Sequence, residues 1–253
     1  FTHHHVDHIF ATQKFDEEAD RSNQKRPVVY SHKLTPNHFD RYKKTLGWNT
    51  AINKRQFAIN VPHFKWPEEY RYPDITYEDE YIFKIGDCTF ELFHGRGETD
   101  DHTWIFIPER KILAPGDLFI WAVPNGGNPQ KVQRYISDWS DALRLMIKKD
   151  AEIMIPGHGL PIYGRDRIKE ALSTTADFLK DIEDQTLKLM NQGKSLNEVF
   201  HQVVISSDIQ KKPWLRPVYD DPKFLIKMIW RRYGGWWDGE YDRLLPDTRA
   251  VSY

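Results

Sequence analysis

The sequence predicts an α/β fold, and three observations point there. Two pairs of β-rich runs flank short turns in the middle of the chain. An amphipathic helical pattern follows over residues 130–149. From Arg165 onward the pattern becomes helical.

The elements follow in order. A helix is expected near residues 9–21, and Pro27-Val-Val-Tyr-Ser31 reads as a buried strand. Residues 35–56 look helical in part, with a break at Leu46-Gly-Trp-Asn-Thr50. Pro62, Pro67 and Pro73 among aromatics mark residues 61–74 as a surface loop. Residues 81–85 and 88–93 form a hairpin around Gly86-Asp87, and residues 103–107 and 111–114 form a second around Pro108-Glu-Arg110. Within 130–149, Val132, Ile136, Trp139, Leu143 and Met146 lie on one stripe, which suits a core-facing helix. Ile168, Leu172, Leu179, Ile182 and Met190 predict a long helix ending near Gly193. Ser195-Leu-Asn-Glu198 is a capping box for a short helix, and Asp221-Pro222 opens another that stops at Gly234-Gly235.

Composition bounds the rest. At 253 residues, with 40% hydrophobic and 14% aromatic side chains, the chain can fill a sizeable core. That length suits one large domain, or one domain with an extension. Lys and Arg number 36 against 37 Asp and Glu, so no basic excess points to a nucleic-acid partner. The one cysteine, Cys88, excludes an internal disulfide and a cysteine-based zinc cluster. No apolar run reaches the length of about 18 residues that a membrane span needs.

The first eight residues, Phe-Thr-His-His-His-Val-Asp-His, hold four of the 11 histidines. An affinity-tag remnant or a surface histidine cluster would be bland explanations, but a tag has no need of Val6-Asp7-His8. The sharper reading is His3-x-His5-x-Asp7-His8. Imidazole and carboxylate suit a borderline divalent ion such as zinc. On an extended segment His3, His5 and Asp7 point the same way, and a turn after them can swing His8 to the same side. Four ligands so close together suit two adjacent ions better than one.

This motif resembles the signature of the metallo-β-lactamase superfamily, whose ligand loop follows a strand of an αββα sandwich. The resemblance implies three later ligands. Asp117, after the turn Pro115-Gly116, matches the bridging carboxylate, and His158, in Pro156-Gly-His-Gly159, matches the late histidine. Aligning Gly97 with the family's turn glycine places Glu98 at the remaining position, with His94 and His102 as alternatives. Gly97-Glu-Thr-Asp-Asp-His102 further resembles the alkylsulfatase-like branch, in which a second carboxylate also follows nineteen residues after the glutamate. Pro156-Gly-His-Gly-Leu-Pro-Ile-Tyr-Gly164 and Gly235-Trp-Trp-Asp-Gly239 resemble later motifs of that branch, so the likeness runs from residue 2 to about 247.

The resemblance implies an αββα sandwich over residues 1–164 and a helical C-terminal extension over 165–253. It implies two divalent ions: zinc first, with manganese or iron as alternatives. One ion would take His3, His5 and Glu98, the other Asp7, His8 and His158, with Asp117 between them. Asp7, Asp117 and His102 would serve catalysis, His102 as proton donor or as support for the ligands. His4 and Asp100 are candidates for orienting the ligand histidines. Two divalent ions and three carboxylates leave one positive charge, which a bridging hydroxide cancels; such a centre makes a nucleophile at neutral pH. Trp214, Tyr219, Trp236 and Trp237 could wall the site or simply pack.

Three departures qualify the likeness. Gly126 stands where the branch has an Arg that helps hold sulfate, leaving Lys131 as a point charge. Ile9-Phe-Ala-Thr12 replaces the usual glycine-rich turn. The chain starts at the ligand loop, so the N-terminal strands of the sandwich are expected from a longer chain or another polypeptide. Asn49, followed by Lys54 and Arg55, matches a substrate-side position.

The leading expectation is a dinuclear hydrolase of a small sulfate ester acting through a metal-bound hydroxide. Phosphate esters, carboxylic esters or lactones come next. An iron-dependent redox member of the superfamily is an alternative, and so is a non-enzymatic partner-binding subunit, or half of a two-chain enzyme. An oligomer would be compatible with each.

Overall fold

A computed structural model describes residues 1–245; residues 246–253, the end of the expected extension, lie outside the described residues. After the ligand loop come helix α1 (Ala11–Arg21), strand β1 (Tyr30–His32), helices α2 (Thr35–Lys44) and α3 (Leu46–Gln56), and strand β2 (Ile75–Tyr77). Strands β3 (Glu80–Ile85), β4 (Cys88–His94), β5 (Thr103–Ile107) and β6 (Ile112–Ile120) lead to helix α4 (Ile136–Ile147). Strands β7 (Ile153–His158) and β8 (Ile162–Tyr163) precede helices α5 (Arg165–Asn191), α6 (Leu196–Gln202) and α7 (Lys223–Gly234).

Strands β3 to β8 form one sheet in sequence order, antiparallel except for β6 and β7. Both expected hairpins are present, with Glu80 opposite Phe93 and Ile105 opposite Ala114. A parallel pair needs a crossover, and α4 supplies it. The β6–β7 register shifts on both sides of Gly116, whose φ of +55° lies in the left-handed region. Such irregularities re-aim side chains; here the displaced stretch carries Asp117, beside the β7 end that carries His158. Strands β1 and β2 form a separate parallel pair, Tyr30 against Ile75.

One apolar cluster runs from Trp104, Leu113 and Leu118 through Trp139, Leu143 and Met146 to Leu172, Leu179, Leu225 and Ile226. The sheet and the C-terminal helices thus share a core across residue 164. Each such side chain contributes about 1.5–3 kcal/mol on burial. A smaller cluster of Ile9, Phe39, Tyr42 and Tyr70, with Phe1 and Val6 against it, packs the ligand loop onto α2.

Three expectations need correction. The break within 35–56 falls at Thr45, whose Oγ1 donates back to Arg41 O and whose carbonyl accepts from Asn49 N, so residues 46–50 are helical. The helix expected from 130 starts at Ile136, because Tyr135 N donates to Gly97 O and the preceding residues are held elsewhere; Val132 is accordingly exposed. The strand at 27–31 is shorter and later, and β2 falls just beyond the loop at 61–74, in a stretch too short to show a pattern. The capping box is present, with Glu198 N donating to Ser195 Oγ and Ser195 N to Glu198 Oε2. Among the described residues no helix is long and apolar enough to cross a membrane.

Candidate metal centre

The ligand loop is extended to His5 and then closes in a 3-10 turn over Val6–His8, with His8 N donating to His5 O. Thr103 N donates to Thr2 O, which ties the loop to the start of β5. His3 is fully buried, His5 and His8 are partly covered, and Asp7 is exposed.

Three segments meet at this loop. Glu98 comes from the β4–β5 connection, Asp117 from the irregular part of β6, and His158 from the end of β7. Glu98 Oε2 lies 3.4 Å from both His3 Nε2 and His5 Nδ1. Asp117 Oδ2 lies 3.9 Å from His3 Nε2, 3.2 Å from His8 Nε2 and 3.4 Å from His158 Nε2. Asp7 Oδ2 is 3.2 Å from His158 Nε2 and 3.4 Å from His8 Nε2. His3, His5, Glu98 and Asp117 make one group whose ligand atoms lie within 4.8 Å of one another, and Asp7, His8 and His158 make a second. Asp117 joins the two.

The residues fit a pair of cations. Glu98 Oε2, Asp117 Oδ1 and His8 Nε2 are buried and have no hydrogen-bond partner among the described residues. Burial would raise the Glu98 carboxyl, but the charges of His5 and Arg134 hold it below its ordinary value. Burial likewise opposes ionisation of Asp117, and His158 and His8 reverse that. His8 is desolvated, yet Asp117 and Asp7 push it up to about 10. His3, buried among other histidines, is held well below the ordinary value and so stays neutral. The carboxylates thus call for positive charge, and His3 has the protonation state of a metal ligand.

The candidate ligands are held from behind. Asn125 Nδ2 donates to Glu98 Oε1 at 2.6 Å, Arg134 Nη1 donates to Glu98 O, and Arg134 Nη2 lies 3.6 Å from Oε1. Only Oε2 is left facing the histidines. Thr2 Oγ1 is 3.1 Å from His3 Nδ1. His4 Nδ1 donates to Asp101 Oδ1 at 2.8 Å, Arg41 donates to His4 Nε2 at 3.1 Å, and Thr35 Oγ1 donates to Asp101 Oδ2 at 2.8 Å. Asp100 turns away to His38 Nε2, at 2.5 Å. His4, His38 and Asp101 also cluster closely enough to hold an ion, but the Arg41 guanidinium already supplies a cation there.

His102 is fully buried, stacks on His3 at 4.7 Å, and its Nε2 accepts from Asp117 N at 3.1 Å. It lies behind His3 and Asp117, two of the candidate ligands. His94, the other alternative, stacks on His32 at 3.8 Å, and its Nδ1 donates to His102 O. Asn49 Nδ2 donates to Thr45 O and Oγ1, one turn back along the chain, so its amide is engaged within α3. Lys131 has no ion-pair partner among the described residues; burial lowers its pKa, while Glu98, Asp220 and Asp7 act on it in the opposite sense. Tyr219 reaches Gln56 at the end of α3. Trp214 packs on Trp121, and Trp236 and Trp237 line a surface groove with Tyr241 and Leu244.

Sequence reading missed Asn125, Arg134, Asp101 and Asp220. Asn125 lies in the glycine-rich stretch already flagged at Gly126 and Asp101 within the Gly97–His102 motif, where it was given no role; Arg134 and Asp220 carry no local signal.

Residues 1–158 match the model of the metallo-beta-lactamase superfamily, and residues 195–252 match that of alkyl sulfatase dimerisation. A linear primary-alkylsulfatase of a Pseudomonas species is 26% identical over 184 residues, covering 70% of this chain and 35% of the relative. An alkyl/aryl-sulfatase of Saccharomyces cerevisiae, BDS1, is 27% identical over 177 residues, covering 66% of this chain and 27% of the relative. The chain therefore spans about a third or less of the length of these relatives. The stereoselective inverting sec-alkylsulfatase Pisa1 from Pseudomonas sp. superposes over 98% of this chain and 43% of its own, with a TM-score of 0.82 at 20% identity. The α/β sandwich with a helical extension is thus the fold of this chain.

Proposed function

Since the chain belongs to the metallo-beta-lactamase superfamily, in its alkylsulfatase-like branch, we propose that it is a metal-dependent hydrolase of small sulfate esters. The observation that carries this reading is the pair of ligand groups sharing Asp117. His3, His5 and Glu98 would hold one divalent ion, and Asp7, His8 and His158 the other, with Asp117 between. The donor set suits zinc, with manganese or iron next. Such ions, when bound, bring the pKa of water toward neutrality and polarise the ester oxygen.

The chain's own residues do the rest. Asp117 anchors both groups while its backbone N–H is held by His102. Asp7, whose side chain is 56% exposed, would take a proton from the attacking water and hand it to the departing alcohol oxygen, which leaves its carboxylate ionised again. Lys131 meets the sulfate as a single charge, because Gly126 offers no guanidinium. The C-terminal match supports a homodimer, with exposed Trp236, Tyr241 and Leu245 as its apolar surface.

Metal analysis of protein purified without added metal, with a screen of alkyl sulfates, phosphates and carboxylic esters, tests the reading. Two divalent ions per chain and sulfate release are expected. Iron with a visible absorption band would favour redox chemistry instead. Full metal loading with turnover confined to phosphate or carboxylic esters would reject the sulfate assignment.

A further inference from the structure

The C-terminal extension reaches the metal centre through one buried carboxylate. Asp220 Oδ2 accepts from Gly127 N at 2.9 Å. The same N–H lies 3.1 Å from Asn125 Oδ1. With its oxygen committed to Gly127, Asn125 turns Nδ2 toward Glu98 Oε1, 2.6 Å away. Glu98 Oε2 is then left for the histidines. Gly127 has a φ of +72° and would meet Lys131 Cβ 2.9 Å from an added Cβ, so this turn has little freedom of its own.

Further contacts from the extension back the same loop. Val123 N donates to Arg216 O at 3.0 Å, and Gln133 Nε2 donates to Met228 O at 2.8 Å. Arg231 Nε donates to Gln133 Oε1 at 3.1 Å. A Cβ on Gly126 would lie 2.9 Å from Leu225 Cδ2, so the loop backbone rests directly on α7.

We propose that Asp220 and Asn125 are positioning residues for Glu98, so that the C-terminal extension sets the geometry of the metal site nearest His3 and His5. This rests on the reading of Glu98 as a ligand. Asp220 acts as a hydrogen-bond acceptor at Gly127, a role that an asparagine oxygen can fill. Groups behind metal ligands typically change affinity about 10–100-fold when removed.

The test is zinc titration of metal-free full chain against a competing chelator, with circular dichroism and thermal melting as checks on folding. D220A should weaken one zinc site about tenfold or more and leave the other near its original affinity, and D220N should restore most of the loss. N125D, nearly isosteric, keeps the acceptor for Gly127 but faces Glu98 with a second carboxylate; it should weaken the same site even if D220A fails to fold. S195A, which removes the α6 cap elsewhere in the extension, should leave zinc affinity unchanged. If wild type binds zinc and either folded D220A or N125D binds it equally well, the positioning role is wrong while the ligand reading stands. If S195A weakens zinc as much as D220A does, the effect is general loosening and the specific role also falls. A wild-type chain that binds no zinc overturns both.

Discussion

His4 Nδ1 lies 2.8 Å from Asp101 Oδ1, and both side chains are buried. His4 sits between two expected ligands, and Asp101 lies three residues beyond a third, so this bond ties the ligand loop to the Glu98 segment. D101A would leave the His4 N–H and the Thr35 hydroxyl without their acceptor, at a cost of about 1–3 kcal/mol. For a domain of this size that is a Tm loss of about 2–12 °C. Differential scanning calorimetry checks it, and an unchanged Tm would count against the tie.

Acid should destabilise the protein through His32. Burial and the neighbouring His94 lower its pKa from the ordinary 6.5 to about 4. The unfolded chain binds a proton there at a higher pH than the folded one does. Stability from this group is therefore complete above about 6.5 and falls as pH drops toward about 4. H32F keeps a ring on His94 but cannot titrate, so urea midpoints should decline less steeply over that window.

Gly157 is the close neighbour of the shared carboxylate. A Cβ there would lie 1.9 Å from Asp117 Oδ1. G157A must push Asp117 aside, and a loss of about 10–100-fold in metal affinity or turnover is expected. Retained zinc affinity in a folded G157A protein would show that Asp117 is not held where its contacts suggest.

On the proposed reading, Lys131 contacts the sulfate and takes no part in the chemistry. A hydrogen bond to a charged group is worth about 1.5–3 kcal/mol, so K131A should raise KM for a sulfate ester about ten- to hundredfold. Metal content should stay intact and kcat should change less. K131R should recover part of the loss. An unaltered KM would remove Lys131 from the sulfate site.

The candidate ligand loop drew attention because its signal is local, four histidines and an aspartate within eight residues; the turn begins earlier than alternation suggested, at Val6, so Asp7 lies in it with His8. That Glu98, Asp117 and His158 gather at this loop was suggested by their order and the glycine turns beside them. The supporting residues were not, for physical reasons. Arg134 lay inside the span 130–149 read as a helix, and only the bond from Tyr135 to Gly97 shows why the helix starts later. Asp101 and Asp220 act across 97 and 93 residues of chain, which no spacing rule reports. The apparent break at residues 46–50 is the first part of α3, so the Asn49 amide meets Thr45 one turn back. The hairpins and the capping box, set by neighbouring residues, needed no such long-range information.

The central claim is that Asp117 stands between two cations. Anomalous scattering from crystals grown with zinc measures this directly. Two peaks per chain are predicted, one ringed by His3, His5 and Glu98, the other by Asp7, His8 and His158, with the Asp117 carboxylate touching both. A single peak, or zinc bound away from Glu98 and Asp117, would contradict it.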